Sequence, residues 1–538
     1  MSRWAEHFEE LLNRPPPTVT ADIPPAEELL QITVDPPTKE EIKKAIMLLK
    51  NGKSAGPDGI PAEVLKADLQ TSVDMLHPLF TRIWEDEVIP QDWKEGYIVK
   101  LPKKGDLSQC KNYRGIMLLS IPGKVLNRII LNRIKAAVDV LLRDQQAGFR
   151  KGRSCTDQIA TLRIIIEQSL EWNSSLYINF IDFEKAFDSL DRESLWHLMK
   201  HYGIPDKYIR LIKNTYTGMQ CQVLHGGEAS PKFEVKTGVR QGCLLSPFLF
   251  LMAIDWIMRK TTEGKRNGIQ WTLLEQLEDL DFVDDLALLS HTHKQMQEKT
   301  SQLEVEASKI GLRVNAGKTK LMRINSTNSN SITLSSGEIE EVTSFTYLGS
   351  IVDTTGGTEQ DIKTRIGKAR TAFNLLKKVW RSRAIATATK IRIFNTNVKS
   401  VLLYGAETWK TTAECNRKIQ TFINKCLRRI LGIYWPNRIS NQELWERTNQ
   451  MTPINQLKKR KWTWIGHTLR KEAGSITRKA LQWNPQGKRK QGRPRNTWRR
   501  TWEEEVKKMG HNCHTINRLA QNRSEWKEVV CGLCSSGS

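Results

Sequence analysis

A chain of 538 residues is too long for one ordinary core, and its 39% hydrophobic and 26% charged residues exclude a fibrous or wholly disordered polypeptide. The net charge of +24 is unevenly spread: residues 1–350 hold 44 basic and 46 acidic side chains (net −2), whereas residues 351–538 hold 39 and 13 (net +26). A field of that size attracts a polyanion, nucleic acid above all, and argues against a secreted or membrane-spanning chain.

Arg3 to Leu12 reads as a short amphipathic helix ended by Pro15, Pro16 and Pro17, which lack the backbone donor a helix needs. A Pro-rich linker follows to Pro37. Thr38 then opens a helix with a capping box to Glu41, and Ile42, Ala45, Ile46 and Leu49 form its apolar stripe. Asn51 to Pro61 is so rich in turn formers that it reads as a shaped loop. From Val64 to Ser350, β-branched and aromatic runs alternate with helical ones, which predicts a mixed α/β body. Within it, Tyr177 to Asp182 is an apolar strand ending in an acid, and Leu280 to Ser290 is an acid-tipped segment of hairpin length. Beyond Gly357 the strand signal fades, and helical periodicity predicts helices over Ile362–Trp380 and Lys390–Tyr404.

The first residues contain no apolar run suited to a secretory signal, and the most apolar segment, Pro247 to Met258, is short and broken by Asp255. Nine cysteines at irregular spacing fit free thiols in a reducing compartment. The expectation is a soluble intracellular chain with no membrane partner. Lys458–Lys461 and Lys488–Arg495 have the composition of nuclear-entry signals, and equally of phosphate-binding faces.

The sharpest chemical feature is a set of acids in apolar surroundings. Phe180-Ile-Asp-Phe places Asp182 at the end of a buried strand, and Asp281-Phe-Val-Asp-Asp-Leu-Ala-Leu-Leu places Asp284 and Asp285 inside a second apolar run. Clustered carboxylates repel one another and lose hydration, which a divalent cation relieves, and hard oxygen ligands select Mg²⁺. Strand side chains alternate faces, so Asp182 and Asp284 are expected to be the primary ligands, with Asp285 less direct unless the chain turns there.

In chain order the sequence also carries Lys53-Ser-Ala-Gly-Pro-Asp-Gly-Ile-Pro, Asn112-Tyr-Arg-Gly-Ile-Met-Leu-Leu-Ser and Gln146-Ala-Gly-Phe-Arg-Lys-Gly-Arg-Ser. These precede Phe180-Ile-Asp-Phe-Glu-Lys-Ala-Phe-Asp, Gly238-Val-Arg-Gln-Gly-Cys-Leu-Leu-Ser-Pro and Phe282-Val-Asp-Asp. Gly311-Leu-Arg-Val-Asn-Ala-Gly-Lys-Thr-Lys and Tyr347-Leu-Gly complete the series. The series resembles the reverse transcriptase of non-LTR (LINE-type) retrotransposons over about residues 50–350.

The resemblance implies a right-hand polymerase, α/β (α+β) in class. Residues 1–37 would be an N-terminal helix and linker, 38–82 an extension of the fingers, and 83–352 fingers and palm. A helical thumb would occupy 353–435 and a basic, Trp-rich nucleic-acid-binding region 436–538. It implies an RNA-directed DNA polymerase that binds template RNA, primer or target DNA and deoxynucleotides, using two Mg²⁺ ions with Mn²⁺ as a substitute. Asp182, Asp284 and Asp285 would be the catalytic metal-binding acids, joined by the Phe183 carbonyl. Phe187 would lie under the incoming sugar, although a core Phe reads the same way. Gln241 and Gly242 would pack on nucleotide and template, Arg114 would stack on a base and contact phosphate, and Lys318 would act near pyrophosphate. Gln146, Gly148, Phe149 and Arg150 would form a template- and nucleotide-contacting turn, and Tyr347, Leu348 and Gly349 the primer grip. Relatives of this type carry an endonuclease ahead of the polymerase, so the chain is expected to start in the connector after it.

The tail adds Trp462, Trp464 and a Gly487–Arg500 run to its cations, which is the pattern of a surface that grips phosphate and stacks indoles on bases. A helical domain with core tryptophans and solvated charges is the alternative. Cys513, His514, Cys531 and Cys534 include one zinc half-site, Cys531-Gly-Leu-Cys534, but its counterpart is a poor match and reduced thiols are the expectation. Two rival readings remain: an element remnant that only binds nucleic acid, and a maturase-like RNA-folding factor.

Overall fold

The computed structural model describes residues 2–103 and 105–535, the side chains of Cys534 and Ser535 excepted. The N-terminal helix spans Ser2–Leu12 and buries Phe8 and Leu12. At Thr38 the capping box forms as the spacing requires, Thr38 Oγ1 accepting from Glu41 N–H at 3.2 Å and Glu41 Oε2 accepting from Thr38 N–H at 2.9 Å. Glu41 then clamps Arg133 of helix Ile121–Leu141, tying this N-terminal layer to the body.

Two five-stranded sheets build the body. One runs Tyr113–Leu118, Glu95–Pro102, Gln220–His225 and Glu228–Ala229, with Phe233–Glu234 also pairing with Gln220–His225. The other, which positions the acids, is ordered Glu340–Glu341, Lys320–Ile324, Leu176–Ile181, Asp285–Ser290, Asp279–Phe282. Its central strand, Leu176–Ile181, is buried at every residue. Because strand side chains alternate, Tyr177 and Ile181 join one core while Leu176, Ile178 and Phe180 join a second. The first core is closed by helices Ser246–Thr262 and His293–Ser308 and by the N-terminal layer.

What closes the second core overturns an expectation. Trp462, Trp464, Trp483, Trp498, Trp502 and Trp526 of the basic tail are all buried there, packed with helix Cys155–Trp172 and the far face of the palm sheet. These indoles therefore do not offer faces to bases. Burying an indole takes roughly 200 Å² from water, about 5 kcal/mol, against about 1–3 kcal/mol for stacking on an unpaired base. Polar contacts fix the docking: Trp464 Nε1 donates to Asp157 at 3.0 Å, Trp498 N–H donates to Glu167 at 2.8 Å, and Lys471 pairs with Asp157 at 2.9 Å. Several tail cations thus neutralise acids of the body. Lys461 is turned inward as well, buried and paired with Glu505. The basic run Lys458–Lys461 is therefore not wholly displayed, whereas Lys488–Arg495 is exposed.

Glu167 gives up its charge in this docking, since burial pushes its carboxyl from 4.5 up to about 7. The folded chain holds a proton there that the unfolded chain releases. The site's stability is therefore complete below pH 4.5 and is lost as pH rises through about 7. Glu167→Gln keeps an acceptor for Trp498 and removes the ionisation. It is expected to stabilise the chain by about 3 kcal/mol near pH 8, a gain that fades towards acid pH. Urea unfolding across this range checks it.

After the hairpin Ser344–Tyr347 and Ser350–Asp353, the chain is helical. The predicted helix over Ile362–Trp380 is two, Glu359–Leu375 and Lys377–Arg381, broken at Leu376 so that Trp380 can fold back and stack on Phe373 at 5.0 Å. The predicted helix over Lys390–Tyr404 is interrupted by a π-turn at Asn395–Lys399 between Thr387–Phe394 and Ser400–Leu402. With Ala413–Leu431, these helices enclose a third core. No described helix is long and apolar enough to cross a membrane.

Candidate active site

Asp182 is the first residue past the central palm strand. The segment after Leu312 grips its backbone: Asn315 N–H donates to the Asp182 carbonyl at 2.8 Å, and Glu184 N–H donates to the Arg313 carbonyl at 2.9 Å. Asp182 N–H donates to Thr319 Oγ1 at 3.3 Å. The same segment sets Lys318 Nζ 3.3 Å from Asp182 Oδ2, and both side chains remain accessible to solvent.

The other two acids sit at a hairpin tip. Strands Asp279–Phe282 and Asp285–Ser290 are joined through Val283 and Asp284, and Val283 has φ +62°, a left-handed conformation that a β-branched residue adopts only under constraint. Gln146 supplies the constraint. Its Oε1 accepts from Val283 N–H and from Gly148 N–H, both at 2.8 Å, while its Nε2 donates to the Val283 carbonyl at 3.3 Å. Gly148 presses on the same turn, and a Cβ there would lie 2.4 Å from Val283 Cγ2 and 2.6 Å from Val283 N. The turn interrupts strand alternation. Pairing of Leu286 with Ile181, extended one step, sets Asp285 across from Asp182. Strand alternation therefore does not by itself separate the roles of Asp284 and Asp285, and Asp285 is the more exposed of the two.

The three carboxylates act on one another. Burial, then the charge of Asp182, raises the Asp284 carboxyl, with Arg114 pulling it back. Desolvation, then Asp284 and Asp182, pushes Asp285 up to about 6, although its outer edge is exposed. Facing them is a group of cations: burial lowers Lys103, and Arg114 and Lys318 lower it further. Among the described residues, no three Asp, Glu, His or Cys side chains stand as a finished metal cage. The arrangement is a mutually repelling trio of acids ringed by cations. Such hard oxygen donors suit a divalent cation that would relieve the repulsion.

The other predicted site residues divide. Arg114 is exposed on strand Tyr113–Leu118. Gln241 Nε2 donates to Asp188 at 2.7 Å, and its carbonyl accepts from Met117 N–H at 2.6 Å. Gly242, at φ +129°, has no room for a side chain, since a Cβ would meet the Met117 carbonyl oxygen at 2.3 Å. The Phe187 ring is half-buried and stacks on Phe250 at 4.4 Å, so it belongs to the core edge whatever else it meets. Phe149 is exposed, but Gln146 and Arg150 are buried with their polar groups turned inward, Arg150 onto Asp139 and the Arg143 and Gln146 carbonyls. Those two support the hairpin rather than face a ligand, which corrects the expectation of direct template contact. Tyr347 is buried and donates to the Leu280 carbonyl at 3.0 Å, and Leu348 and Gly349 form the left-handed turn that follows. Cys513 and Cys531 are exposed on successive helices, whereas the Cys534 side chain lies outside the described residues.

Sequence reasoning missed Arg143. Mostly enclosed, it pairs with Asp279 and, at 3.4 Å, with Asp281, while its backbone N–H donates to Asp255 at 2.7 Å. The buried Asp255 that interrupts an apolar helix was the visible signal of this charge network.

Comparison with known proteins agrees with this geometry. The family described as reverse transcriptase (RNA-dependent DNA polymerase) matches residues 101–352, and a domain family of unknown function matches residues 372–404. An uncharacterised 149 kDa protein of transposon TX1 from Xenopus laevis is 25% identical over 415 residues, 74% of this chain and 30% of that protein. The RNA-directed DNA polymerase from mobile element jockey of Drosophila funebris is 25% identical over 431 residues, 77% of this chain and 46% of that protein. The Pol polyprotein of type-2 retrotransposable element R2DM from Drosophila melanogaster is 25% identical over 315 residues, 58% of this chain and 29% of that protein. The chain therefore spans less than half the length of these relatives. Residues 101–352, which carry all three acids, match the reverse transcriptase family, and the relatives that the chain resembles are proteins of non-LTR retrotransposons.

Proposed function

We propose that this chain is an RNA-directed DNA polymerase, extending a DNA primer 3′ end with deoxynucleotides on an RNA template. The observation that carries the reading is the trio Asp182, Asp284 and Asp285, set at a strand end and an adjoining hairpin tip, with burial and then the neighbouring acids raising the Asp284 and Asp285 carboxyls. Two Mg²⁺ ions, or Mn²⁺ in their place, would be held by these carboxylates and the Phe183 carbonyl, and would supply Lewis acidity to the attacking and leaving oxygens.

The chain's own residues do the rest. Lys103, Arg114 and Lys318 present positive charge beside the acids, where a triphosphate would be held; Arg114 offers the fork that suits phosphate. Lys318, 3.3 Å from Asp182, neutralises that carboxylate in the absence of ligand and is placed to follow a departing pyrophosphate. Gly242 lets the Met117 backbone pack directly against the loop, which holds Gln241 in place beside the acids. Phe187, propped on Phe250, is where a 2′-hydroxyl would collide. The left-handed turn at Leu348–Gly349, fixed by Tyr404 Oη donating to the Leu348 carbonyl at 2.9 Å, would present the primer end. The exposed run Lys488–Arg495 supports action in the nucleus.

Primer extension on poly(rA)/oligo(dT) with Mg²⁺ tests the proposal. Incorporation of dTTP that depends on the RNA template is the expected result. Salt-sensitive RNA binding without any incorporation would instead favour a nucleic-acid-binding remnant.

A further inference from the structure

Of the 17 tryptophans in the chain, Trp435 alone is exposed, with 80% of its surface open to solvent. It lies beside Tyr434, 60% exposed, at the end of helix Ala413–Leu431. The helix places Arg417, Thr421, Lys425 and Arg428 three or four residues apart, on the side opposite its buried Ile419, Phe422, Ile423 and Leu427. Together with Arg429 and the two aromatic rings, these residues line a concavity of about 820 Å³. Its lining contains four cations, four amide side chains (Asn416, Gln420, Asn424 and Asn441) and no carboxylate. None of its lining residues belongs to the group around the three acids.

An exposed indole and phenol are costly to leave bare, and four cations with no salt bridge among the described residues repel each other in one hollow. Both costs are relieved by one kind of ligand: a flexible polyanion that also carries flat apolar faces. A duplex meets the charges but keeps its base faces stacked inside, and an acidic peptide meets the charges but does not pair a flat face with every charge as a nucleotide does. We infer that this groove binds single-stranded RNA, Trp435 and Tyr434 stacking on unpaired bases while Arg417, Lys425, Arg428 and Arg429 hold the phosphates. The inference goes beyond the polymerase reading, because a strand held here would be a part of the RNA that is not paired in the catalytic cleft. It needs no catalytic activity to be tested.

The test measures binding of a fluorescein-labelled oligouridylate to the full chain by anisotropy, with an excess of an unlabelled, fully paired RNA/DNA hybrid of mixed sequence present to fill the catalytic cleft. Trp435→Ala is expected to weaken binding about tenfold or more, and Trp435→Phe to recover most of it. Arg417→Gln with Arg429→Gln is expected to lower the slope of log K against log salt by about 1.4, which is about 0.7 for each phosphate no longer held. Trp435 is on the surface, so the variants fold, as circular dichroism would check. Unchanged binding in Trp435→Ala would overturn the inference. Equal competition by duplex DNA would overturn it too, because it would mean charge without stacking. Failure of primer extension would leave it untouched, so the two readings fall separately.

Discussion

Asp284→Asn is expected to lower the rate of primer extension by about a thousandfold or more, the loss of several kcal/mol of transition-state stabilisation, while RNA binding stays at the wild-type level. Asn has the shape of Asp and preserves the turn held by Gln146, so the hairpin should keep its place. What disappears is one of three charges that Asp182 and Asp285 now oppose. RNA binding should persist because the cations Lys103, Arg114 and Lys318, the exposed run Lys488–Arg495 and the remaining basic surface are untouched, and removing a negative charge does not repel a polyanion. Single-turnover extension and filter binding on the same preparations separate the two effects. Equal extension by the variant and the wild type would remove Asp284 from the site.

The acids themselves were legible in the sequence, because a carboxylate ending an apolar strand and a pair of carboxylates inside an apolar hairpin are costly arrangements that local structure does not explain. The strand at Leu176–Ile181 and the hairpin flanking Val283 follow from the same runs. The Thr38 capping box was legible for a different reason: it is made by residues three apart. What escaped was long-range. Gln146 reaches Val283 across 137 positions, and nothing in Gln-Ala-Gly-Phe-Arg says that its amide closes a turn rather than touches a template. Arg150 turns inward for the same reason, drawn to Asp139 and to free carbonyls that only the folded chain brings near.

The tail shows how composition misleads when the opposing layer is unknown. Trp and Lys interleaved in sequence suit both a nucleic-acid face and an amphipathic helix lying on a sheet. The deciding information sat in helix Cys155–Trp172, where Asp157, Glu167 and Glu171 are buried acids. Acids buried there need donors and cations from elsewhere, and Trp464, Lys471, Trp498 and Arg500 provide them. The cations that remain, with the single exposed indole at Trp435, are what residues 353–538 have left for a polyanion.

Gly148→Ala is expected to cut extension about a hundredfold while the fold survives, because a misplacement of about 1 Å at a reacting group costs that much. The added Cβ would fall 2.6 Å from the Val283 backbone nitrogen and 2.4 Å from its Cγ2, so the turn, and not a flexible side-chain end, must yield. That turn already holds Val283 at φ +62°, and Asp284 is the next residue. Overpacking of this kind costs about 1–3 kcal/mol of stability, which cores of this size absorb. Gln146→Ala attacks the same turn from its other support, leaving the Val283 and Gly148 N–H groups without their acceptor. If hairpin placement is what matters, both variants should lose rate with little change in KM for dTTP. A raised KM at an unchanged rate would instead return this loop to nucleotide contact, the role its sequence first suggested.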